Sequence, residues 1–276
     1  MHKKRAYSIL FVGVIASLGL FVIHDYRQES ANGVNPNDYS LAAIISETPT
    51  TLSSSPDFTA IDNVAEKKKL FFEYLKKGVQ LENTRVLKER TRLENLEKHF
   101  NDKNMSAEDN SYAIRLGKLY NVAVPAAGVD AKWFTMMNDR VDVLPYALVL
   151  IQAANESAWG TSRFATQGNN YFGQWCYTQG CGLVPKSRPE GSTYEVAKYD
   201  SVQQSIHAYF MNVNRNNAYQ SLRHIRAELR QQNKSMLDDD AALALTNGLI
   251  KYSQRGQAYV DDLQTMIKRN EKYWVQ

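Results

Sequence analysis

Four side chains with polar or hydrogen-bonding groups share one face of an otherwise apolar stretch near the middle of the chain. They follow the helical spacing i, i+3, i+4 and i+7, and they are Gln152, Asn155, Glu156 and Trp159. A carboxylate at the C-terminal end of a helix opposes the helix dipole, and partial burial also disfavours its charge, so both effects raise the pKa. A carboxyl group with a raised pKa can act as a general acid near neutral pH. The alternative interpretation is a structural glutamate that meets solvent or pairs with Arg163.

The helix that must position this stripe is predicted to run from near Pro145 to Gly160. Proline suits a first helical turn, and glycine is the usual residue just past a helix end. Between them the sequence ALVLIQAANE leaves little room for a solvated face. The pattern therefore predicts a core helix.

Composition narrows the class of protein. The chain has 276 residues, 43% of them hydrophobic, which allows one good-sized domain with extensions. Its 33 Lys and Arg against 29 Asp and Glu leave a net charge of only +4. This balance is compatible with an anionic polymer as partner but is not typical of a nucleic-acid-binding protein. We find no zinc-protease motif, phosphate-binding glycine loop or nucleophilic triad, so no metal and no cofactor are expected.

The N-terminus indicates export. A basic cluster precedes an apolar run over residues 6–23, close to the ~20 residues that span a bilayer, with no clear small-residue cleavage site. We interpret residues 1–25 as a signal anchor or, alternatively, a cleaved signal peptide. The rest of the chain is then expected on the periplasmic side, anchored in the inner membrane. An exported chain with only Cys176 and Cys181 most simply forms a disulfide between them, zinc binding being the rival.

The remaining segments predict a mainly helical α+β protein. Residues 26–62 are rich in Ser, Thr, Pro and Asn and are predicted to be a flexible linker. Residues 63–125 are predicted to form a helical arm, either packing on the main domain or broken into a hairpin near Gly78, with Ser106 as an N-cap. Residues 126–276 are predicted to form the catalytic domain, with a small β-hairpin lobe at 183–200.

Four motifs, in order, resemble those of bacterial β-N-acetylglucosaminidases of glycoside hydrolase family 73. They are AANESAWGTSRFA, GNNYFGQWC, YDSVQQSIHAYF and KYSQRGQAYVDDLQTMI. An RVD sequence before the apolar helix and the short Cys-x4-Cys loop are also shared, and the resemblance covers residues 64–276. It implies a lysozyme-like fold and cleavage of peptidoglycan between N-acetylglucosamine and N-acetylmuramic acid.

The resemblance also implies roles for particular residues. Glu156 is implied as the catalytic acid, and Tyr252 as an active-site residue that donates a hydrogen bond to developing charge or orients the acetamido group. The candidates for a second catalytic carboxylate are Glu190 and Glu195. The alternative to a second carboxylate is assistance from the N-acetyl group of the substrate.

Aromatic rings and amides suit a glycan, because rings stack on sugar C–H groups and amides bind hydroxyls. The candidate substrate-binding residues are Gln152, Trp159, Asn169, Asn170, Phe172, Trp175 and Tyr259. Phe172 also fits a core position, and Tyr259 fits a core or wall position equally well. His207 is interpreted as structural.

The expected partners are peptidoglycan glycan strands and the inner membrane, for a chain that acts as a monomer and binds no nucleic acid. Three rival functions remain open. The first is a muramidase or lytic transglycosylase that cuts the other glycan bond, because lysozyme-like folds support both reactions. The second is a non-catalytic peptidoglycan-binding protein. The third is a membrane-anchored regulator that acts through the helices of residues 64–98.

Overall fold

A computed structural model describes Leu52 and residues 54–274, and within them the protein is mainly helical. The α-helices are α1 (Val64–Asn101), α2 (Ala107–Leu119), α3 (Ala131–Arg140), α4 (Tyr146–Glu156), α5 (Arg163–Gly168), α6 (Val202–Arg215), α7 (Gln220–Gln231), α8 (Asp239–Thr246) and α9 (Gln257–Asn270). Short 3-10 helices cover Phe58–Ala60, Asn217–Tyr219, Asn247–Tyr252 and Glu271–Tyr273. This confirms the predicted mainly helical α+β class.

Several helices begin at a residue whose side chain accepts a hydrogen bond from the first turn. The predicted N-cap Ser106 is confirmed: its hydroxyl accepts from the Asp109 N–H at 3.0 Å, and the Asp109 carboxylate accepts from the Ser106 N–H at 3.1 Å. This reciprocal capping box satisfies two backbone donors that a helix start leaves free. At other helix starts the N-cap side chain accepts from a first-turn N–H group, and these residues are Asn63, Asp130, Ser162, Ser201 and Asp238.

The predicted β-hairpin is present in the structure as part of a three-stranded sheet. Within the described residues, the strands β1 (Trp175–Cys176), β2 (Gly182–Leu183) and β3 (Glu195–Ala197) form one antiparallel sheet in the order β1-β3-β2. The strand predicted in STYEVAKYD is therefore present as β3, but it lies between the other two strands. The antiparallel pair of β2 and β3 confirms the predicted hairpin. The strand β1 was not predicted, because it is too short to give a period-two pattern.

The helix α1 runs without a break through Gly78, so the predicted alternative of a helical hairpin is wrong. A Cβ atom at Gly78 would lie 2.5 Å from Ile206 Cδ1 and 2.6 Å from Leu52 Cδ1. Gly78 therefore allows α1 and α6 to approach closely, instead of ending a helix. One face of α1 is buried, and the opposite face is exposed to solvent.

The helix α4 lies in the core, as its apolar sequence predicts. Leu148, Leu150 and Ile151 are 0% exposed, and they belong to a hydrophobic cluster that includes Phe71 and Phe72 of α1. A second cluster joins residues of α1 and α2 to residues of α3 and α6. The predicted helical arm and catalytic domain thus share buried contacts across residue 125.

The N-terminal predictions fall mostly outside the described residues. The predicted membrane segment, residues 1–25, is not among them, and no helix in residues 54–274 is long and apolar enough to cross a bilayer. The end of the predicted flexible linker is described. There Phe58 is 1% exposed and packs its ring on Phe71 with a centroid separation of 5.4 Å, so this end is part of the core.

The Asp142 carboxylate, just before the start of α4, contacts three arginines. Asp142 is the last residue of the RVD sequence, and its carboxylate accepts two hydrogen bonds from Arg230 at 3.0 and 2.5 Å. Arg90 lies 3.4 Å and Arg226 3.9 Å from the same carboxylate. Burial lowers the pKa of Arg226 to about 10, although the charge of Asp142 acts to raise it. The RVD acid therefore has a structural role.

A second buried charge network joins α1 to α6. Glu82 contacts Arg85 at 2.6 Å and His207 at 2.9 Å, and Arg85 contacts Glu89 at 2.5 Å. Burial alone would raise the pKa of Glu82, but the charges and hydrogen bonds of Arg85 and His207 outweigh it and lower the pKa to about 2. The interpretation of His207 as a structural residue agrees with this position.

We expect the free energy of unfolding to fall in acid because of Glu82. Its folded pKa of about 2 is below the ordinary value of 4.5, so its stabilisation is present above pH 4.5 and is lost as the pH falls towards 2. Urea unfolding between pH 7 and pH 2.5 measures this slope. For Glu82→Gln the unfolding free energy should depend less steeply on pH, by an amount that corresponds to about one bound proton. An identical pH dependence in both proteins would contradict the assignment.

Candidate active site

Glu156 is the last residue of α4, and the chain turns sharply after it. The helix was predicted to continue to Gly160, but it ends four residues earlier, because Ala158, Trp159 and Gly160 have φ values of 50°, 60° and 77°. Ser157 holds this turn: its hydroxyl donates to the Ala153 carbonyl at 2.6 Å and accepts from the Gly160 N–H at 2.8 Å. Two successive non-glycine residues with positive φ are costly, and such strain is concentrated at functional sites.

The Glu156 carboxyl group is half-buried, and one of its oxygens accepts two hydrogen bonds. The Tyr259 hydroxyl donates to Oε1 at 2.8 Å, and the Asn155 amide donates to the same oxygen at 3.1 Å. The other oxygen, Oε2, would lie 3.7 Å from a Cβ atom at Gly173. The suggested alternative pairing with Arg163 is not seen, since that guanidinium donates to the Val184 carbonyl at 2.6 Å.

Burial raises the pKa of Glu156 above its ordinary value of 4.5. The hydrogen bonds from Tyr259 and Asn155 and the positive charge of Arg255 act to lower this pKa, but the effect of burial is larger. The upward direction agrees with the prediction made from the helix dipole and the apolar sequence. Glu156 therefore holds its proton to higher pH than an exposed glutamate does.

Two parallel tyrosine rings flank this carboxyl group. Tyr252 stacks on Tyr259 with centroids 5.7 Å apart and an interplanar angle of 5°. The Tyr252 hydroxyl donates to the Phe172 carbonyl at 3.0 Å, so it supports the segment beside the site. Burial raises the pKa of both tyrosines well above 10.0, so both are neutral.

Gln152 lies behind Tyr259 and has no contact with the surface. Its side chain is 0% exposed, its amide N–H donates to the Tyr259 hydroxyl at 3.0 Å, and its amide oxygen accepts from the Tyr209 hydroxyl. A side chain enclosed in this way cannot touch a bound glycan, so its assignment to substrate binding is corrected. Tyr259 is 2% exposed and acts as a partner of Glu156 instead of a wall residue.

The segment NNYF is held by its own hydrogen bonds. Asn170 is 1% exposed; its amide donates to the carbonyls of Gln174 and Ala197 at 2.9 Å and accepts from the Phe172 and Gln174 N–H groups. Phe172 is 2% exposed and stacks on Tyr209 at 4.3 Å. Both residues are therefore structural, in contrast to their assignment to substrate binding. Asn169 ends α5 with φ 50°, and its amide donates to the Tyr199 carbonyl.

The two candidate tryptophans differ in their surroundings. Trp159 packs on Phe71 and Phe72 at 5.6 and 5.3 Å, with the Lys68 ammonium 4.7 Å from its ring centroid. Trp159 therefore packs the strained turn after Glu156 against α1. Trp175 is half-buried in β1 and contacts Tyr194 edge to face at 4.4 Å. Trp175 remains the aromatic candidate for stacking on a sugar.

The two candidate second carboxylates occupy the β-lobe. Glu195 accepts hydrogen bonds from the Gly180 N–H at 3.1 Å and the Gly182 N–H at 2.8 Å, and these bonds lower its pKa. Glu195 thus stabilises the loop that the Cys176–Cys181 disulfide closes. The presence of this disulfide confirms the predicted bond. Its carboxylate and the two sulfurs lie within 4.8 Å of one another, but sulfurs bonded to each other are not thiolate ligands. Glu190 is exposed in a turn.

Sequence reasoning missed three residues at this site. Tyr209 supports Gln152 from behind, Gly173 lies against Glu156 Oε2, and Arg255 is the cation whose charge reaches Glu156. Tyr209 and Arg255 lie within the motifs HAYF and KYSQRG. Helical periodicity in α6 would have placed Tyr209 on a buried face, but it could not show which hydroxyl or amide it meets.

Two comparisons with known proteins identify the family of this chain. Residues 131–272 match the family model of the glucosaminidases, described as mannosyl-glycoprotein endo-beta-N-acetylglucosaminidase. The chain is also 30% identical over 220 residues to Protein bax of Escherichia coli (strain K12), covering 80% of this chain and 76% of that protein. No solved structure gives a significant match. The chain therefore belongs to the glucosaminidase family, as a Bax-like member of this group of glycoside hydrolases.

Proposed function

We propose that this protein is a peptidoglycan hydrolase, a β-N-acetylglucosaminidase that cleaves the β-1,4 bond between N-acetylglucosamine and N-acetylmuramic acid. The observation that carries the proposal is the state of Glu156: a half-buried carboxyl group with a raised pKa at the end of a rigid core helix. A glycosidic oxygen is a poor leaving group, and a proton from such an acid makes its departure possible.

The acid step uses Oε2 of Glu156, which accepts no hydrogen bond from the part of the chain that the structure describes. Oε2 gives its proton to the glycosidic oxygen as the bond between that oxygen and the anomeric carbon breaks. The resulting carboxylate keeps its hydrogen bonds from Tyr259 and Asn155, both made to Oε1. These bonds stabilise the negative charge that appears on Glu156, which is how a preorganised donor lowers a barrier.

For the second half of the reaction we favour assistance by the substrate. The Glu195 carboxylate is engaged by two backbone N–H groups, and Glu190 is exposed in a turn. An N-acetylglucosamine at the cleavage point has its own acetamido oxygen, which can attack the anomeric carbon as the leaving oxygen departs. The Glu156 carboxylate then takes a proton from water, which opens the cyclic intermediate and restores the acid. The product would retain the anomeric configuration.

The experiment that tests the function identifies new chain ends. The full-length protein is incubated with purified peptidoglycan, and the products are reduced and analysed by mass spectrometry. We expect N-acetylglucosamine at the new reducing ends. Muramic acid or anhydromuramic acid ends would assign the muramidase or lytic transglycosylase reaction. Glycan that is bound and not cut would overturn the enzymatic proposal.

We also propose a location for this activity. The peptidoglycan substrate lies outside the cytoplasm, and the disulfide is typical of an oxidising compartment. The basic cluster and apolar run of residues 1–25 would hold the enzyme at the periplasmic side of the inner membrane. Fractionation of cells that produce the full-length protein tests this: recovery in the membrane fraction supports the anchor, and recovery in the soluble periplasmic fraction would mean that the segment is cleaved.

A further inference from the structure

We infer that Tyr209 and Gln152 are positioning residues that fix the catalytic proton of Glu156 on its Oε2 oxygen. The inference rests on the proposed role of Glu156 as the general acid. Both side chains are 0% exposed, so neither touches the substrate. Their effect must pass through Tyr259, whose hydroxyl contacts Glu156.

Three hydrogen bonds join these residues in a line from the core to the carboxyl group. The Tyr209 hydroxyl donates to Gln152 Oε1, Gln152 Nε2 donates to the Tyr259 hydroxyl at 3.0 Å, and that hydroxyl donates to Glu156 Oε1 at 2.8 Å. The line crosses from α6 through α4 to α9, so three separately packed helices hold it. Every member is at least partly buried, which protects the bonds from competition with water.

The direction of this line has a physical cause. An amide such as Gln152 could be turned over, and the network decides which end is the donor. In the reversed line Tyr259 would donate to Gln152, and Glu156 would have to donate its own proton to Tyr259. Tyr209 would then receive a hydrogen bond in place of donating one. Among residues 54–274 its hydroxyl donates to Gln152 and to no other acceptor, and a buried donor without an acceptor is costly.

The observed direction keeps Oε1 as an acceptor whether or not Glu156 is protonated. Its two lone pairs face Tyr259 and Asn155, so the proton must reside on Oε2, beside Gly173, where the absent side chain leaves space. The titratable groups that interact with Glu156 through space or by hydrogen bonds are Tyr209, Tyr219, Tyr252, Tyr259 and Arg255. The tyrosines are neutral, and the distant Asp262 already pairs with Arg255. The hydrogen bond from Tyr259 acts on the pKa of Glu156 together with the Asn155 hydrogen bond and the Arg255 charge, and the hydrogen-bonded line sets the direction of the Tyr259 bond.

The test is Tyr209→Phe in the full-length protein. The substitution keeps the ring that stacks on Phe172 and removes only the hydroxyl, so Gln152 is free to turn over and Glu156 can donate to Tyr259. We expect kcat on peptidoglycan to fall about tenfold, the effect of one hydrogen bond, with KM unchanged. The alkaline limb of the kcat profile should move to higher pH, because the carboxylate has lost its donor and the protonated form has gained an acceptor.

Tyr219→Phe is the matched control. Tyr219 is 3% exposed, and the charge of Glu156 acts to raise its pKa, but its hydroxyl bonds to Asn212 and is not part of the line. This variant should keep the wild-type pH profile. An equal shift of the limb in both variants would mean that any lost buried hydroxyl has this effect, and it would overturn the inference.

An infrared titration separates the inference from the proposed function. Difference spectra between the wild type and Glu156→Gln isolate the Glu156 carboxyl stretch, and the same difference in the Tyr209→Phe background should show a higher midpoint. This readout needs no substrate, so it holds even if the wild type fails to cut glycan. An unchanged midpoint would show that Tyr209 acts only by packing, and the inference would fail while Glu156 could still be the acid.

Discussion

Glu156→Gln should lower the rate of peptidoglycan cleavage by about 10²–10⁴-fold, the usual contribution of a general acid. Glutamine has nearly the shape of glutamate and can still accept from Tyr259 and Asn155 through its amide oxygen. It has no acidic proton to give to the leaving oxygen. The fold should remain intact, because the carboxyl group is at a helix end and makes no buried ion pair among the residues described. Release of soluble fragments measures the rate, and thermal unfolding checks the fold.

Two further glutamates serve as controls for this loss. Glu190→Gln changes an exposed turn and should leave the rate nearly unchanged. Glu195→Gln replaces one of the two carboxylate oxygens that accept from the Gly180 and Gly182 N–H groups by an amide N–H₂ group, so it should lower the melting temperature more than it lowers the rate of the folded protein. If Glu195→Gln were as inactive as Glu156→Gln but fully folded, a two-carboxylate mechanism would replace the substrate-assisted one.

Asp142→Ala should lower the free energy of unfolding by about 3–5 kcal/mol, the usual cost of removing one partner of a buried ion pair. Asp142 is 2% exposed, and its loss leaves the buried guanidinium of Arg226 with its main counter-charge removed. The bidentate pair with Arg230 would also be lost. Because this group fixes the start of α4, the instability should be accompanied by lower activity near the melting temperature. Urea unfolding at neutral pH gives the free energy.

The matched control is Asp139→Ala, which removes an acid from a neighbouring arginine. Asp139 contacts Arg223 at 3.1 Å and its side chain is 33% exposed. Arg223 is 2% exposed, but without Asp139 it keeps its hydrogen bonds to the Val213 and Asn216 carbonyls. We expect this variant to lose no more than about 1 kcal/mol. If Asp142→Ala were as stable as Asp139→Ala, the arginines would have to be neutralised in another way and the structural role of the RVD acid would be wrong.

Local patterns in the sequence predicted what depends on local chemistry. The apolar run of α4 places Glu156 at the end of a core helix, and the composition around Ser106 predicts its cap. The disulfide followed from the export signal and from a short loop with two cysteines. In each case neighbouring residues supply the main physical cause, so periodicity and residue type are sufficient.

Features that depend on long-range packing could not be predicted. Gln152 has the spacing of a residue that faces the site, but its neighbours Tyr209 and Tyr259 come from helices that are 57 and 107 residues away in the chain. The strand order β1-β3-β2 likewise depends on pairing of very short segments. A helix break at Gly78 was kept as an alternative, because only the position of Ile206 shows that this glycine is a contact between helices.

A comparison of leaving groups tests the role of Glu156 most directly. Two aryl glycosides of an N-acetylglucosamine oligomer are each incubated with the wild type and with Glu156→Gln. One substrate has a dinitrophenolate leaving group, and the other has a methylphenolate leaving group. Dinitrophenolate leaves without protonation and methylphenolate needs the acid. We predict that the variant keeps most of the rate on the first substrate and loses it on the second. Equal losses on both substrates would contradict general acid catalysis by Glu156.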